Sequence, residues 1–449
     1  MTNISAHGLG GADDLPIPAN LAIAGGTAAL TISFAVLLLA WRKARFDTPS
    51  HELLVPPPIA RVLDGPALKI ALRALGLLFL GFMLWPAVLG PNDLTNPVFG
   101  VAYAWLWVGL VPVSLLFGSA YRAVNPVRTL LELLDKAVGR THGDRHSDGR
   151  GEGLRPYPPW LGYWPASLGL FAFVWLELVS PDGTDLDFVR LWFALYAAAM
   201  LVGWAVFGTT WVSRADPFEV YSTLVGHLSP WSRNTAGRLV LVSPLRNLAR
   251  ISPEAGLVAV VAVLLGSTAY DSWSSSVTWI RFVQSNSIDL TRLGTGLMLL
   301  IIVIVGITFT AASMATGVGP QGTPRRELPR RLAHSIVPII VGYMIAHYLT
   351  FLVEYGQQTL ILISDPGGTG ANLFGTADLE INYWLSQHPS VVASIKVLAI
   401  VTGHVLGVIA AHDRSLTLLA RRHLIIGQLA LLFAMVGYTF MGLYLLFGA

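Results

Sequence analysis

Four ionisable side chains lie inside two consecutive apolar segments in the last quarter of the chain. His347 and Glu354 share one segment, and Lys396 and His404 share the next. Titratable groups in apolar segments are costly, and they usually face a protein interior or a cavity. Spacings of seven and eight residues put each pair close to one face of a helix. Two antiparallel helices rising about 1.5 Å per residue bring Glu354 level with Lys396, so we predict an ion pair with both histidines stacked below it.

These residue types suit several kinds of chemistry. His347 or Glu354 can act as a general base, Lys396 can stabilise a developing negative charge, and His404 can support either group. The same side chains suit a proton relay, because histidine titrates near neutral pH. Two histidines and a carboxylate also form a workable ligand set for a divalent metal ion, so His347, His404 and Glu354 are the metal candidates. No compact H-x-x-x-H spacing supports that set, and the cofactor stays undetermined. The alternative is a polar contact that only holds two helices together.

Polar residues beyond these four are candidates for contacts with a substrate. Tyr355 and Gln358 occupy the last turns of the same segment as His347, and the glycine-rich connection that follows carries Asp365 and Asn372. Asp271 lies at the end of an earlier apolar segment, which is predicted to be on the same side of the membrane as the glycine-rich connection. We predict that the glycine-rich connection is a lid over an outward cavity, with an ordinary turn as the alternative.

The composition predicts a chain that is embedded in a membrane. Of its 449 residues, 54% are hydrophobic and 12% are charged, and the mean hydropathy is +0.61. Soluble domains carry about 25% charged residues, so this chain lacks the polar surface that water requires. It contains no cysteine, which excludes disulfides, thiolate metal sites and a cysteine nucleophile. The lipid bilayer is the expected partner, and no nucleic-acid partner is expected.

The apolar segments predict an all-α fold, a polytopic transmembrane helical bundle with about ten spans. About 20 apolar residues are needed to cross a hydrocarbon core of about 30 Å. The predicted spans are residues 21–41, 71–89, 99–118, 162–180, 188–212, 255–270, 292–315, 334–363, 390–411 and 424–447.

The charges predict the side of the membrane on which each connection lies. Connections after odd-numbered spans are rich in arginine, whereas those after even-numbered spans are acidic and contain Arg281 as their basic residue. Basic connections mark the cytoplasmic side, so we expect a multi-pass protein of the cell membrane with both termini outside. We divide the chain into an external tail, 1–20, and a transmembrane helical domain, 21–449, with a disordered inner loop at about 137–158.

Three local patterns carry further predictions. Asn125-Pro126 and Asp216-Pro217 are each typical of a helix start, with the polar residue as N-cap and proline in the first turn. Glu177 and Arg190 are expected to form a structural ion pair. The run 412–414 is expected to be a solvated helix end.

Several of these stretches together resemble a known family. The runs that carry the resemblance are His347, Glu354-Tyr-Gly-Gln-Gln358, Asp365 to Thr376, Lys396 to His404, Asn125-Pro126 and Asp216 to Tyr221. They resemble bacterial multi-pass membrane proteins of the fenitrothion hydrolase family. The resemblance implies a membrane-bound organophosphate triester hydrolase that works with a second membrane subunit. It carries over no catalytic residues.

The sequence therefore favours a membrane-bound organophosphate ester hydrolase with a buried polar site between spans eight and nine. Two alternatives stay open. One is a proton- or metal-coupled transporter of small solutes, since discontinuous or short spans and buried charge also suit a translocation path. The other is a non-catalytic membrane anchor subunit of a larger complex.

Overall fold

The computed structural model describes residues 14–46, 52–137, 153–286, 288–316, 323–419 and 426–447. The helices of the first half are α1 (Ala19–Ala40), α2 (Pro57–Leu63), α3 (Pro66–Leu89), α4 (Pro97–Phe99), α5 (Leu110–Phe117), α6 (Ala120–Val124), α7 (Pro126–Ala137), α8 (Trp164–Leu178), α9 (Leu186–Phe207), α10 (Thr209–Ala215), α11 (Pro217–Gly226) and α12 (Pro244–Leu248). Those of the second half are α13 (Leu257–Ser274), α14 (Val277–Ser285), α15 (Leu290–Met314), α16 (Leu328–Leu332), α17 (Val337–Leu362), α18 (Trp384–Gln387), α19 (Pro389–Leu418) and α20 (Ile426–Phe447). A π-helix, Gly100–Val108, joins α4 to α5, and 3₁₀ turns at Arg325–Glu327 and Ala333–Ile336 flank α16.

A small antiparallel sheet accompanies the helices and was not predicted. Its strands are β1 (Leu53–Leu54), β2 (Trp231–Arg233) and β3 (Leu239–Leu241), in the order β1-β3-β2. Leu53 and Trp231 both pair with Leu241. Strands of two or three residues are too short to give a periodic signal in the sequence.

Each predicted span overlaps one or more helices, and the all-α prediction is confirmed. Among the described residues, eight helices are long and apolar enough to cross a membrane, and the pair 97–108 and 110–117, bent by 43°, makes a ninth if it counts as one span. The predicted span 162–180 contains α8, an apolar helix of 15 residues that is too short for a full crossing. The total of ten spans and the outward position of the termini stay predictions.

The connections meet at two ends of the bundle, as the charge alternation requires. At one end, which we call the basic end, β1 pairs with β3, and Arg250 bonds Glu52 at 2.7 Å. These contacts join the connections after the first and fifth predicted spans. At the other, acidic end, the Leu186 amide donates to Asn92 at 2.6 Å, joining the connections after the second and fourth spans. In these contacts, odd connections meet odd ones and even connections meet even ones.

The prediction of a solvated helix end at 412–414 is wrong. His412 and Asp413 are 2% and 1% exposed. Asp413 accepts hydrogen bonds from the backbone amides of Arg45 and Phe46 and from the Trp41 indole, at 2.7, 3.1 and 3.0 Å. The carboxylate satisfies the chain just after α1, where the backbone has left the helix, and this need was not visible in the local sequence.

A buried charge network holds α7 against α11. Asn125 and Asp216 precede the two helices, as predicted, and the Asn125 amide donates to Asp216 at 2.8 Å. Arg128 binds Glu219 through two donors at 2.8 and 2.5 Å, and both side chains are almost completely buried. The polar residues at these two similar helix starts therefore also contact each other and join two parts of the chain.

Part of the predicted inner loop is packed rather than disordered. Residues 138–152 of that loop lie outside the described residues. Within 153–158, the Arg155 amide donates to Val206 at 2.8 Å, and Tyr157 packs edge-on against Phe207 at 5.4 Å. An aromatic side chain with a partner ring at the end of α9 stabilises this stretch despite its polar sequence.

Two glycines set the closest helix crossing near the site. A Cβ on Gly403 of α19 would lie 2.5 Å from the Pro338 carbonyl oxygen and 3.2 Å from the Cα of Gly342 in α17. The backbones of α17 and α19 therefore touch at these positions, as small residues allow in membrane helices. The next residues along the two helices, Tyr343 and His404, are brought together by this crossing.

Candidate functional site

The polar centre of the molecule lies between α13 and α17. Asp271 and Ser272 are neighbours in the last turn of α13, and His347 lies between them on α17. One imidazole nitrogen, Nε2, is 2.9 Å from the Asp271 carboxylate, and the other, Nδ1, is 3.0 Å from the Ser272 hydroxyl. Serine, histidine and aspartate thus form one continuous hydrogen-bonded chain, and all three are at most 6% exposed.

Two tyrosines of α17 donate hydrogen bonds to the two ends of this serine–histidine–aspartate chain. Tyr343 donates to the Ser272 hydroxyl at 2.9 Å, and Tyr348 donates to the Asp271 carboxylate at 2.7 Å. Tyr343 precedes His347 by four residues, so both point from one face of α17 toward α13. Tyr348 lies edge-on to the imidazole, with ring centroids 4.6 Å apart. The ring of His347 is therefore fixed by partners on every side.

The donors and acceptors of this chain fit together in one arrangement when Asp271 is ionised. The carboxylate then accepts only, so the proton of a neutral imidazole is on Nε2. Nδ1 is left with a lone pair that accepts the proton of Ser272. A hydroxyl bound to a histidine that a carboxylate orients is the arrangement that activates serine in hydrolases on unrelated folds.

The predicted ion pair between Glu354 and Lys396 is not formed. Glu354 accepts a hydrogen bond from Ser386, at the acidic end. Lys396 is 2% exposed and has the carboxylate of Asp14, just before α1, as a favourable charged neighbour. The predicted depth was also wrong: Gly342 lies against Ala399 and Gly403, so Glu354 is level with the start of α19 near Ser386 and not with Lys396. Lys396 can reach α1 because that helix also packs on α19.

His404 is separated from His347 by the glycine crossing. Its Nδ1 lies 2.8 Å from the carbonyl oxygen of Ile400, one turn earlier in the same helix. Its Nε2 is buried and makes no hydrogen bond to any residue that the structure describes. His404 therefore belongs to a different environment from the serine–histidine–aspartate chain.

That environment is an apolar cavity of about 540 Å³ between α13, α15, α17, α19 and α20. His404, Tyr343 and Trp273 line it, together with aliphatic side chains such as Ile304 and Met441. Ile304 and Met441 are half-exposed on the apolar outer surface of the bundle. The cavity thus opens sideways. Trp273, which follows Ser272 in α13, and Tyr343, which donates a hydrogen bond to Ser272, form part of its wall.

A second polar region borders Asp271 on the side of α8. The Oε2 atom of Glu177 is buried without a hydrogen bond to the described residues, and the hydroxyls of Tyr221 and Tyr355 are in the same condition. Glu177 lies within the range of electrostatic interaction with Asp271. The expected ion pair of Glu177 with Arg190 is not formed, because Arg190 binds Asp187 at 2.5 Å and the end of α3.

The predicted substrate contacts fall in different places. Asp271 is the partner of His347, and Tyr355 stacks on Phe351 at 5.1 Å beside the Glu177 region. Gln358 is half-buried in the last turns of α17. Of the sequence-predicted set, only Asp271 and His347 are joined directly within the described residues.

The glycine-rich connection is braced by its own side chains. Asp365 accepts hydrogen bonds from the amides of Thr369 and Gly370 at 2.9 and 2.7 Å, and these donors hold the pKa of its carboxyl below the usual value. Asn372 accepts from Ser364 at 3.1 Å. Gly368 and Gly370 have φ of 64° and 81°, which glycine adopts without strain. Asp365 and Asn372 therefore stabilise the conformation of this loop through hydrogen bonds within it.

The metal candidates are not gathered around a common point. Within the described ranges, no three His, Asp or Glu side chains converge as metal ligands. Both nitrogens of His347 are engaged by protein groups, and one nitrogen of His404 is engaged by its own helix.

No protein-family model, no curated protein and no solved structure matches this chain. The resemblance to the fenitrothion hydrolase family therefore stays a prediction. The function has to be argued from the site itself.

Sequence reasoning singled out His347 and Asp271 but not the residues between and around them. Ser272, Tyr343 and Tyr348 are residue types that are common in apolar helices, so nothing in their identity marks them. One signal was available: Asp271 and Ser272 adjoin at the end of a segment, and Tyr343 has the helical spacing to share a face with His347.

Proposed function

We propose that the protein is a membrane-embedded hydrolase of lipophilic esters, with Ser272 as nucleophile and His347 as general base. The observation that supports this proposal is the hydrogen-bonded chain Ser272–His347–Asp271, at 3.0 and 2.9 Å, beside an apolar cavity that opens sideways. A serine hydroxyl is a weak nucleophile until a neighbouring base accepts its proton, and an oriented histidine provides that base.

In the proposed reaction, the Ser272 oxygen attacks the acyl or phosphoryl centre while its proton passes to His347 Nδ1. Asp271 stabilises the resulting imidazolium through Nε2. The imidazolium then gives the proton to the departing alkoxide or phenoxide. A water molecule, deprotonated by the same nitrogen, releases the acid and restores Ser272. Tyr348 is a positioning residue, since it holds Asp271 and touches no reacting atom. Tyr343 donates a hydrogen bond to the attacking oxygen of Ser272, so it contacts a reacting atom directly.

Two considerations favour a lipophilic substrate. The cavity is lined mostly by aliphatic and aromatic side chains, and it opens on the surface that apolar helices present to lipid. The resemblance noted above implies an organophosphate triester, which is an apolar ester that partitions into a bilayer. We include in the proposal that the basic end faces the cytoplasm, as the positive-inside rule predicts.

The test is hydrolysis of a chromogenic aryl ester and a chromogenic phosphotriester by purified protein in detergent. Ser272→Ala, His347→Gln and Asp271→Asn are each expected to lower turnover at least about 100-fold. Tyr444→Phe, on the exposed face of α20, is the control and keeps the wild-type rate. Wild-type turnover that survives in Ser272→Ala and His347→Gln would refute the proposal. If Glu354→Gln lowers turnover as much as His347→Gln, the grouping predicted from the sequence is the better one.

A proton-coupled transporter is the second candidate, and one observation favours it. Glu177 has a buried oxygen with no hydrogen-bond donor among the described residues, and it lies near Asp271. A buried carboxyl without a donor or a cation is costly when charged, so it is suited to carry a proton. Transport predicts proton flux in proteoliposomes that Glu177→Gln abolishes, without cleavage of the solute. Cleavage that persists in Glu177→Gln, without proton flux, favours the hydrolase.

A further inference from the structure

A buried polar atom at the wall of the sideways cavity has no hydrogen-bond partner among the residues that the structure describes. His404 is 1% exposed, it lines the cavity, and its Nε2 makes no hydrogen bond to any described residue. A buried polar atom that is left without a hydrogen bond destabilises the folded protein. A polar atom in such a position at the wall of a cavity indicates a ligand that supplies the missing hydrogen bond.

The protonation of the ring defines what this ligand must offer. Nδ1 lies 2.8 Å from the Ile400 carbonyl oxygen, which can only accept a hydrogen bond. The proton of a neutral imidazole is therefore on Nδ1, and Nε2 presents a lone pair. The ligand group that meets Nε2 has to be a donor.

The neighbouring polar side chains strengthen this requirement. Tyr343 donates its hydroxyl proton to Ser272, and Tyr438, farther along the wall, donates to the Val305 carbonyl at 3.0 Å. Thr308 lies 2.7 Å from the Ile304 carbonyl oxygen and 2.6 Å from the Tyr438 hydroxyl, and its single proton is donated to one of these two oxygens. The protons of these three hydroxyls are used within the protein, so their free lone pairs are acceptors, like Nε2 of His404.

The rest of the cavity defines the remainder of the ligand. Its volume of about 540 Å³ is in the range of sites for small organic molecules. Aliphatic residues such as Leu265, Leu297 and Ile301 form most of its wall, and it opens on the lipid-facing surface between α15 and α20. A molecule that enters here comes from the hydrocarbon phase and is mostly apolar.

We propose that this cavity binds a lipophilic phenol or alcohol whose hydroxyl group donates a hydrogen bond to Nε2 of His404. The binding itself does not depend on hydrolysis. A phenol is also the leaving group of an aryl ester, so under the proposed function the cavity is where the leaving group collects before it returns to the bilayer.

The test compares 4-hexylphenol with 4-hexylanisole, its methyl ether, which has the same shape but no donor. Binding to the purified protein in detergent is followed by the rise in the unfolding temperature with ligand concentration. The phenol is expected to bind about 3- to 10-fold more tightly than the ether to the wild type, since one hydrogen bond contributes about 0.5–1.5 kcal/mol. Equal binding of the two compounds to the wild-type protein would overturn the proposal, and this comparison requires no variant.

Two variants locate the effect. His404→Phe is expected to bind both compounds equally, because it keeps the ring volume and removes the acceptor. Continued binding of the ether shows that the cavity is intact in this variant. His404→Gln retains an acceptor and is expected to keep part of the preference for the phenol. A full preference in folded His404→Phe would assign the hydroxyl to another residue and contradict the proposal. None of these readouts requires turnover, so they fail or succeed independently of the hydrolase.

Discussion

At the scale of single residues, His347 is defined by its partners and not by its depth in the bundle. Asp271 on one nitrogen and Ser272 on the other fix both the ring and its tautomer. The tyrosines at the two ends add neutral donors to a buried carboxylate and a buried hydroxyl. Such a network is stable only when every member is satisfied, so each residue depends on the others.

The first prediction concerns Tyr348. Tyr348→Phe removes a donor at 2.7 Å from the buried Asp271 carboxylate and leaves the ring in place. We expect the free energy of unfolding in detergent to fall by about 1–3 kcal/mol, because hydrogen bonds to charged groups are worth more than neutral ones. Tyr444→Phe, whose ring is 43% exposed, is the matched control and is expected to be neutral. A Tyr348→Phe variant as stable as the control would show that Asp271 does not depend on this donor.

The residue scale is where the sequence was least informative. Rarity in apolar segments identified His347, because an imidazole there is conspicuous. Asp271 was named only as a polar residue just beyond a predicted span that could face the cavity. The argument from rarity also grouped Glu354 and Lys396 with His347, although these face Ser386 and Asp14. Helix periodicity gives the face of a residue relative to its own helix. It does not say which neighbouring helix lies against that face.

At the scale of elements, glycines control how closely α17 and α19 approach. Gly342→Ala would place a methyl group against the carbonyl oxygen of Ala399, in a contact that neither backbone can relieve by itself. We expect a loss of about 1–3 kcal/mol in the free energy of unfolding. We also expect weaker phenol binding, since the crossing positions Tyr343 and His404.

The control for this prediction is Gly296→Ala in α15. A Cβ at Gly296 meets no atom within 4 Å, so the substitution is expected to be neutral or to stabilise the helix by up to about 1 kcal/mol. Equal effects of Gly342→Ala and Gly296→Ala on thermal unfolding would refute the close crossing.

A second prediction at this scale concerns the charge network between α7 and α11. Arg128→Met removes the bidentate partner of Glu219, whose side chain is buried at 1% exposure. Breaking such a buried pair from one side costs about 3–5 kcal/mol. Arg292→Met is the control, because the Arg292–Asp289 pair is exposed and such pairs contribute about 0–1 kcal/mol. Unfolding curves that shift equally for the two variants would contradict the assigned role of Arg128.

Elements were predicted far better than side-chain partners. Long apolar runs gave every main helix, because about 20 residues without charge have few alternatives to a helix in lipid. The sixth span was predicted to end at residue 270, whereas α13 continues to Ser274. The polar pair Asp271-Ser272 lowered the local hydropathy and hid the turn that carries the site. When polar residues near the end of a helix have buried partners, a prediction from hydropathy places the end of that helix too early.

At the scale of the whole molecule, the alternation of charge can be tested with single cysteines, since the chain has none. Ala377→Cys lies in the exposed connection at the acidic end, and Ala236→Cys lies in the exposed turn between β2 and β3 at the basic end. If the basic end is cytoplasmic, a membrane-impermeant maleimide added to intact cells labels Ala377→Cys and not Ala236→Cys. Both variants are expected to react after the membrane is permeabilised. Labelling of Ala236→Cys and not of Ala377→Cys in intact cells would show that the basic end faces outward, which contradicts the predicted topology.

The whole-molecule organisation was largely predictable from charge and hydropathy. The contacts that join the first with the fifth connection and the second with the fourth agree with the charge alternation that orients membrane proteins. The small sheet and the packing of residues 153–158 were not predictable, because they depend on partners that are distant in sequence. A hydrolytic function is a property of the site and not of the helical bundle.

The most direct measurement is covalent labelling of the nucleophile. Purified protein is treated with a lipophilic alkyl fluorophosphonate, which forms a phosphorus–oxygen bond to an activated serine and releases fluoride. Intact-mass and peptide mass spectrometry are expected to find one adduct per chain, on Ser272, with labelling lost in Ser272→Ala and greatly slowed in His347→Gln. Wild-type protein that stays unlabelled, or an adduct on another residue that persists in Ser272→Ala, would contradict the assignment of Ser272, His347 and Asp271 as the reacting site.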